Sequence, residues 1–180
     1  LFIGYIQNSG QGVSYSDDSG STWTSVQVAN VPAGFGNLLD KNHMWIDNKP
    51  GSPYEGYLYN AWTTFGGSAD GEIQLSYSSD YGVSWSASTT ISSSVNAGSH
   101  NQGVNLSTGP NGEAYALWAI YDSWPSDEKA LAIARSFDGG LTWEAYRIID
   151  NIRGIRSYET SKNMRVNSFP CMAVDISGGS

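Results

Sequence analysis

A single cysteine, Cys171, in 180 residues excludes an internal disulfide and any metal site built from several thiolates. It reads as a small buried apolar side chain. Histidine is nearly as scarce: His43 and His100 are too few for a zinc centre on their own, so no metal and no cofactor is expected. Basic residues are also few, with nine Lys and Arg against 17 Asp and Glu and a net charge of −8. Such a field repels nucleic acid and anionic membrane surfaces. No uninterrupted apolar run approaches the ~20 residues needed to span a bilayer, so membrane insertion is not expected either. What is abundant is glycine, tyrosine and tryptophan, at 21, 11 and 7 residues, which favours short strands and tight turns over helices. The composition predicts an all-β protein, and an acidic surface rich in Ser, Thr, Asn and aromatics fits a secreted or cell-surface (extracellular) one.

One pattern occurs three times. Ser16, Asp18, Gly20, Thr22 and Trp23 form its first copy, Ser78, Asp80, Gly82, Ser84 and Trp85 its second, and Ser136, Asp138, Gly140, Thr142 and Trp143 its third. The aspartates lie 62 and then 58 residues apart, which is the spacing of a repeat architecture. In a tight turn the Asp carboxylate can accept hydrogen bonds from the turn's own N–H groups, Gly supplies a positive φ, and Trp covers the hairpin flank. A metal-binding or acid-catalytic use of these aspartates is the competing reading. Each turn, however, holds only one fixed carboxylate on a separate unit. Asp17 is an extra acid without counterpart in the other copies.

Strands are expected at Leu1 to Gln7, Gly12 to Ser16, Thr24 to Val31, Asp40 to Asp47, Gly56 to Phe65, Glu72 to Ser78, Ser86 to Ser92, Asn101 to Thr108, Glu113 to Tyr121, Ala130 to Ser136, Glu144 to Ile149 and Phe169 to Asp175. Gly56, Tyr59 and Trp62 match Gly112, Tyr115 and Trp118. If the strands of one unit are labelled A to D, residues 1–31 carry B to D, 40–92 and 101–149 are complete units, and 167–180 begin another. Four-stranded antiparallel units with a long period predict β-propeller blades. About three blades are present, whereas propellers close with roughly 4–8. The expectation is a partial propeller, part of a ring of about six blades in a longer protein whose remaining blades complete it.

The three motif copies resemble Asp-box, or BNR, repeats, and the arrangement is similar to the sialidase-like β-propellers of secreted and surface proteins. Asp40 to Asp47 and Asn167 to Asp175 resemble the A-strand motifs of bacterial secreted proteins in that group. For a sialidase, the resemblance implies a Tyr nucleophile assisted by Glu, an Asp acid/base and three arginines clamping a carboxylate. Every arginine here lies at or beyond position 135, and no Arg-Ile-Pro signature is present, so no catalytic residue carries over.

With the motif turns on one face, a ligand site falls among the loops of the other: Asn30 to Asp40, Gly66 to Gly71, Ser92 to His100, Asp122 to Lys129 and Asp150 to Asn167. The last carries Arg153, Arg156, Tyr158, Glu159 and Arg165, either an anion-binding cluster or a solvated loop. Trp124 is either a sugar-stacking platform or an aromatic packed on its own loop. His43 and His100, 57 residues apart, are expected at similar places in successive blades, with structural roles. The expected role is a non-catalytic module that binds a glycan or a surface protein. The alternatives are an exo-sialidase-like hydrolase with most catalytic residues outside this segment, and a passive module of a large exported protein that secretion machinery recognises.

Overall fold

The computed structural model describes residues 1–95, 100–157, 164 and 166–177. Among the described residues there is no α-helix; their regular structure is eleven strands and one 3-10 turn at Gly67–Ala69. Strands β1 (Phe2–Gln7), β2 (Gly10–Tyr15) and β3 (Thr24–Asn30) form the first sheet. The second is β4 (Leu38–Ile46), β5 (Leu58–Phe65), β6 (Ile73–Ser78) and β7 (Thr89–Thr90). The third is β8 (His100–Thr108), β9 (Ala114–Tyr121), β10 (Ala130–Ser136) and β11 (Glu144–Asp150). All pairings are antiparallel between sequence neighbours, as expected of hairpin-connected strands with Gly- and Asp-rich turns.

The core explains why the three sheets stack. Strands β5, β6, β8, β9 and β10 turn Tyr59, Ala61, Leu75, Leu106, Trp118 and Ala132 into one buried cluster between the second and third sheets. Alanines at 116, 132 and 134 make room for the Trp118 indole, the alternation of small and large side chains that close sheet packing requires. The first and second sheets meet at Val13, Leu39, Leu58 and Trp62, all buried, and Gln11 donates to the Leu39 carbonyl at 3.2 Å.

Strand β4 packs against β1 on one side and β8 on the other, so the sheets' leading strands line the inner side of the stack. β4 and β8 carry the same irregularity. Two residues, Lys41 and Asn42, bulge opposite Trp62, and Gly103 and Val104 bulge opposite Trp118. The first residue of each bulge is left-handed, with φ of 54° at Lys41 and 75° at Gly103. At Gly103 a Cβ would meet the Phe169 ring at 2.3 Å, so the bulge is also a seat for that ring.

Three expectations are corrected. Residues Ser86 to Ser92 do not form a full strand: only Thr89–Thr90 joins the ladder. Ser76 donates to the Ser86 carbonyl at 2.6 Å and the Ser86 hydroxyl accepts from the Tyr77 N–H at 3.1 Å, so hydroxyls take up bonds a ladder would make. Residues Phe169 to Asp175 form no strand either, because no described backbone pairs with them; they run alongside β8, with the Met172 N–H donating to Asn105 Oδ1 at 3.1 Å. Cys171, in this unpaired segment, is exposed rather than buried.

Candidate functional site

The three motif turns share one hydrogen-bond scheme. Ser16, Ser78 and Ser136 each donate a hydroxyl hydrogen to the following aspartate at 2.8 Å and accept from the glycine N–H at 2.8, 2.8 and 2.9 Å. Each aspartate also accepts from the N–H and hydroxyl of Thr22, Ser84 or Thr142. Trp23, Trp85 and Trp143 donate their indole N–H to the carbonyls of Gly20, Gly82 and Gly140 at 3.1–3.2 Å. The hydrogen bonds of Thr22 and Ser16 hold Asp18 down at about 2, and Asp80 and Asp138 are lowered too. Both carboxylate oxygens of every copy are committed to the turn. What such a turn can do is close a hairpin.

The opposite end of the sheets is where the strand ends Asp40, Phe65, His100 and Tyr121 and the loop 122–129 come together. His100, buried, packs against Trp124 with ring centroids 3.9 Å apart and the ring planes tilted by 32°. Tyr121 meets the Trp124 indole edge-on at 5.0 Å, and Phe65 lies 5.0 Å from His100 and 5.9 Å from Trp124. The Arg156 guanidinium sits 4.0 Å over the Trp124 ring, with a hydrogen bond to Asn167 at 3.3 Å. Trp124 therefore packs into a cluster shared by three loops and keeps 38% of its surface exposed. Burial pushes His100 down to about 4, so the ring is neutral near pH 7 and can sit against the guanidinium.

Carboxylates and amides hold this cluster in place. Glu128 is fully buried; it accepts from the Tyr121 hydroxyl at 2.9 Å, the Ser168 N–H at 3.0 Å and the Ile155 N–H at 3.2 Å. Burial alone would raise its pKa, but these donors outweigh it and the net shift is downward. Asp127 accepts from the Ser157 N–H and hydroxyl, a second tie between the same two loops. Asn101 closes the sheet-two to sheet-three seam, accepting from Trp118 Nε1 at 2.7 Å and donating to the Gly71 carbonyl at 3.0 Å. Gln102 donates to Asp40 at 3.0 Å at the inner rim.

Of the residues singled out in the sequence, Trp124 and Arg156 are brought together. Arg153 is exposed, and Tyr158, Glu159 and Arg165 lie outside the described residues. Arg135 faces Glu144 and Tyr146 on the outer hairpin, and Arg147 binds Asp150 at 2.7 Å, so the described arginines do not converge. The two histidines are not equivalent. His43 follows the β4 bulge, where β8 has Asn105, and the two side chains touch at 3.3 Å, while His100 opens β8. Among the described residues no three His, Cys, Asp or Glu side chains form a metal-ligand set, and no helix is long and apolar enough to cross a membrane. Sequence reasoning missed Glu128 and Asp127 because a loop acid reads as solvated. Their only signal was position, in the loop facing away from the motif turns.

No protein-family model and no curated protein matches the sequence. Solved structures do resemble it in fold. One is a leech intramolecular trans-sialidase complexed with 2,7-anhydro-Neu5Ac, 19% identical, with a TM-score of 0.50 over 77% of this chain and 19% of that one. Another is a Penicillium chrysogenum α-L-arabinanase complexed with arabinobiose, 13% identical, with a TM-score of 0.57 over 97% of this chain and 49% of that one. The chain thus spans about half of the arabinanase and a fifth of the trans-sialidase. Both are β-propeller glycosidases, and the three antiparallel sheets of this chain are propeller-like.

Proposed function

We propose that this chain is a glycan-binding module of a secreted or cell-surface protein and that it holds its ligand at the loop face around Trp124. The observation that carries this is the cluster of Trp124, His100, Tyr121 and Arg156, tied down by the buried Glu128. A fixed, partly exposed indole with a guanidinium over its ring offers apolar contact and hydrogen-bond donors together, the combination that sugar rings and their hydroxyls take. The motif turns are read as Asp-boxes that count blades and close hairpins. Surface proteins are the other class of partner this face would suit.

The fold likeness to the trans-sialidase favours a second reading, an exo-sialidase-like hydrolase completed by residues beyond the described ones. A glycan array spanning sialosides and arabino-oligosaccharides, followed by calorimetry of the strongest hit, separates the readings. Binding without turnover, weakened at least tenfold by Trp124→Ala and by Arg156→Ala, is the expected result. Release of free sialic acid from a sialoside would replace the binding reading with the hydrolytic one. Neither binding nor turnover would leave a passive module of an exported protein.

A further inference from the structure

Phe35 is the most exposed large apolar side chain among the described residues, and the loop that carries it is built to hold it in water. The loop joins β3 to β4, so it lies on the face away from the motif turns, between two sheets that are both described. Gly34 and Gly36 flank the ring with φ of 141° and 79°, conformations that L side chains rarely adopt. Asn37 fastens the tip. Its Nδ2 donates to the carbonyls of Pro32 at 3.3 Å and Ala33 at 2.9 Å, and at the start of the loop the Val31 N–H donates to the Ser9 carbonyl at 2.9 Å. Gly66 and Gly67 close on the loop from the other side, where a Cβ would meet Asn37 Oδ1 at 2.0 Å and Pro32 at 2.9 Å. A loop tied at this many points has lost its backbone freedom before any ligand arrives, so a contact made at its tip costs little further ordering.

The tip is continuous with the cluster around Trp124. Asn37 rests on Gly66, Leu38 pairs with Phe65 across the β4–β5 ladder, and Phe65 lies against the Trp124 indole. Two exposed aromatic rings therefore stand at the ends of one strip, with Leu38 and the half-buried Phe65 between them. The ground beside the strip is low and polar, formed by Gly67, Ser68 and Asp70, all exposed, and Arg156 stands at the Trp124 end. One sugar ring covers one aromatic ring; it does not reach from one loop to the next. We infer that the face binds an extended oligosaccharide, one unit on Trp124 and a later unit on Phe35, and that Phe35 is the residue that selects for chain length. The inference rests on the glycan reading of the Trp124 cluster and adds to it a second contact. A protein anchor is a side chain that fills a closed pocket. Phe35 instead presents an open ring face beside hydroxyl and carboxylate groups, which is what a stacked sugar with its own hydroxyls requires.

The test is the dependence of Kd on ligand length, measured by calorimetry on the purified chain with two series: arabino-oligosaccharides from the disaccharide upward, and sialylated oligosaccharides of growing length. Affinity is expected to rise about tenfold from the shortest member that binds to those long enough to reach Phe35, the size of one aromatic contact. Phe35→Ala is expected to remove that gain and to leave the short members unchanged, whereas Trp124→Ala weakens every member. Phe35→Tyr keeps a flat ring and is expected to keep the gain; Phe35→Leu keeps apolar bulk and is expected to lose it. Because Phe35 is fully exposed, circular dichroism of its variants is expected to match the parent's. Affinity that does not grow with length, or a gain that survives Phe35→Ala, overturns the inference and leaves the glycan site at Trp124 standing. A Phe35→Leu variant that binds every member as the parent does overturns it too, and makes Phe35 an apolar anchor of the kind a protein partner uses. No binding in either series overturns the inference together with the glycan reading beneath it.

Discussion

The motif turns store backbone strain at one residue and spread its relief over five. Ser19, Tyr81 and Gly139 take the fourth position of the three copies with φ of 60°, 58° and 73°, and the glycines after them have φ of 92°, 85° and 94°. Two consecutive left-handed residues are costly for L side chains, about 1–2 kcal/mol each. Ser19→Gly is therefore expected to raise stability by about 1 kcal/mol and Gly82→Ala to lower it by about 1–2 kcal/mol, read by chemical denaturation at unchanged m-value. No gain from Ser19→Gly together with no loss from Gly82→Ala would show that the turns are not strained. His100 gives a second residue-scale outcome. Its folded pKa of about 4 lies below the ordinary 6.5, so the unfolded chain binds the proton first as pH falls. The stability it contributes is present above pH 6.5 and is lost as pH drops towards 4, and His100→Phe is expected to flatten the stability curve over that window.

At the scale of elements, the loop face is organised by a buried carboxylate rather than by the strands it connects. Glu128 ties the β9 end to the loop after β11 and to Ser168, and Asp127 repeats the tie through Ser157. Replacing Glu128 by Gln leaves a neutral amide facing two backbone N–H donors, one of which then loses a good acceptor. The expected cost is about 2 kcal/mol, within the range for buried bonds to a charged group, together with faster proteolysis in residues 122–127 and 150–157. Because the folded pKa of Glu128 is lowered, this contribution holds above pH 4.5 and fades below it. A Glu128→Gln variant as resistant to protease as the parent would mean that the two loops hold themselves.

For the whole molecule, the parts legible in the sequence were those with a period. Ala130 to Ser136 agrees with β10 at both ends, and most other strands agree within two residues, since period-two alternation and turn residues bound them. The matching of Trp62 with Trp118 points to the residues that the inner-strand bulges face. Contacts between loops carry no period, so the roles of Glu128, Asp127 and the Arg156–Trp124 stack could be found only in three dimensions. Residues 169–175 have the sequence of a strand but pair with none of the described residues, and a strand exists only as half of a ladder. That difference sets the last expectation. The largest buried cluster joins the second and third sheets, while the first sheet leaves β1 open along one edge. In native-state hydrogen exchange, the amides of β9 and β10 should open only with global unfolding, and those of β1 at a markedly lower free energy. Protection of β1 equal to that of β9 would show that packing on β4 makes the first sheet part of the same cooperative unit.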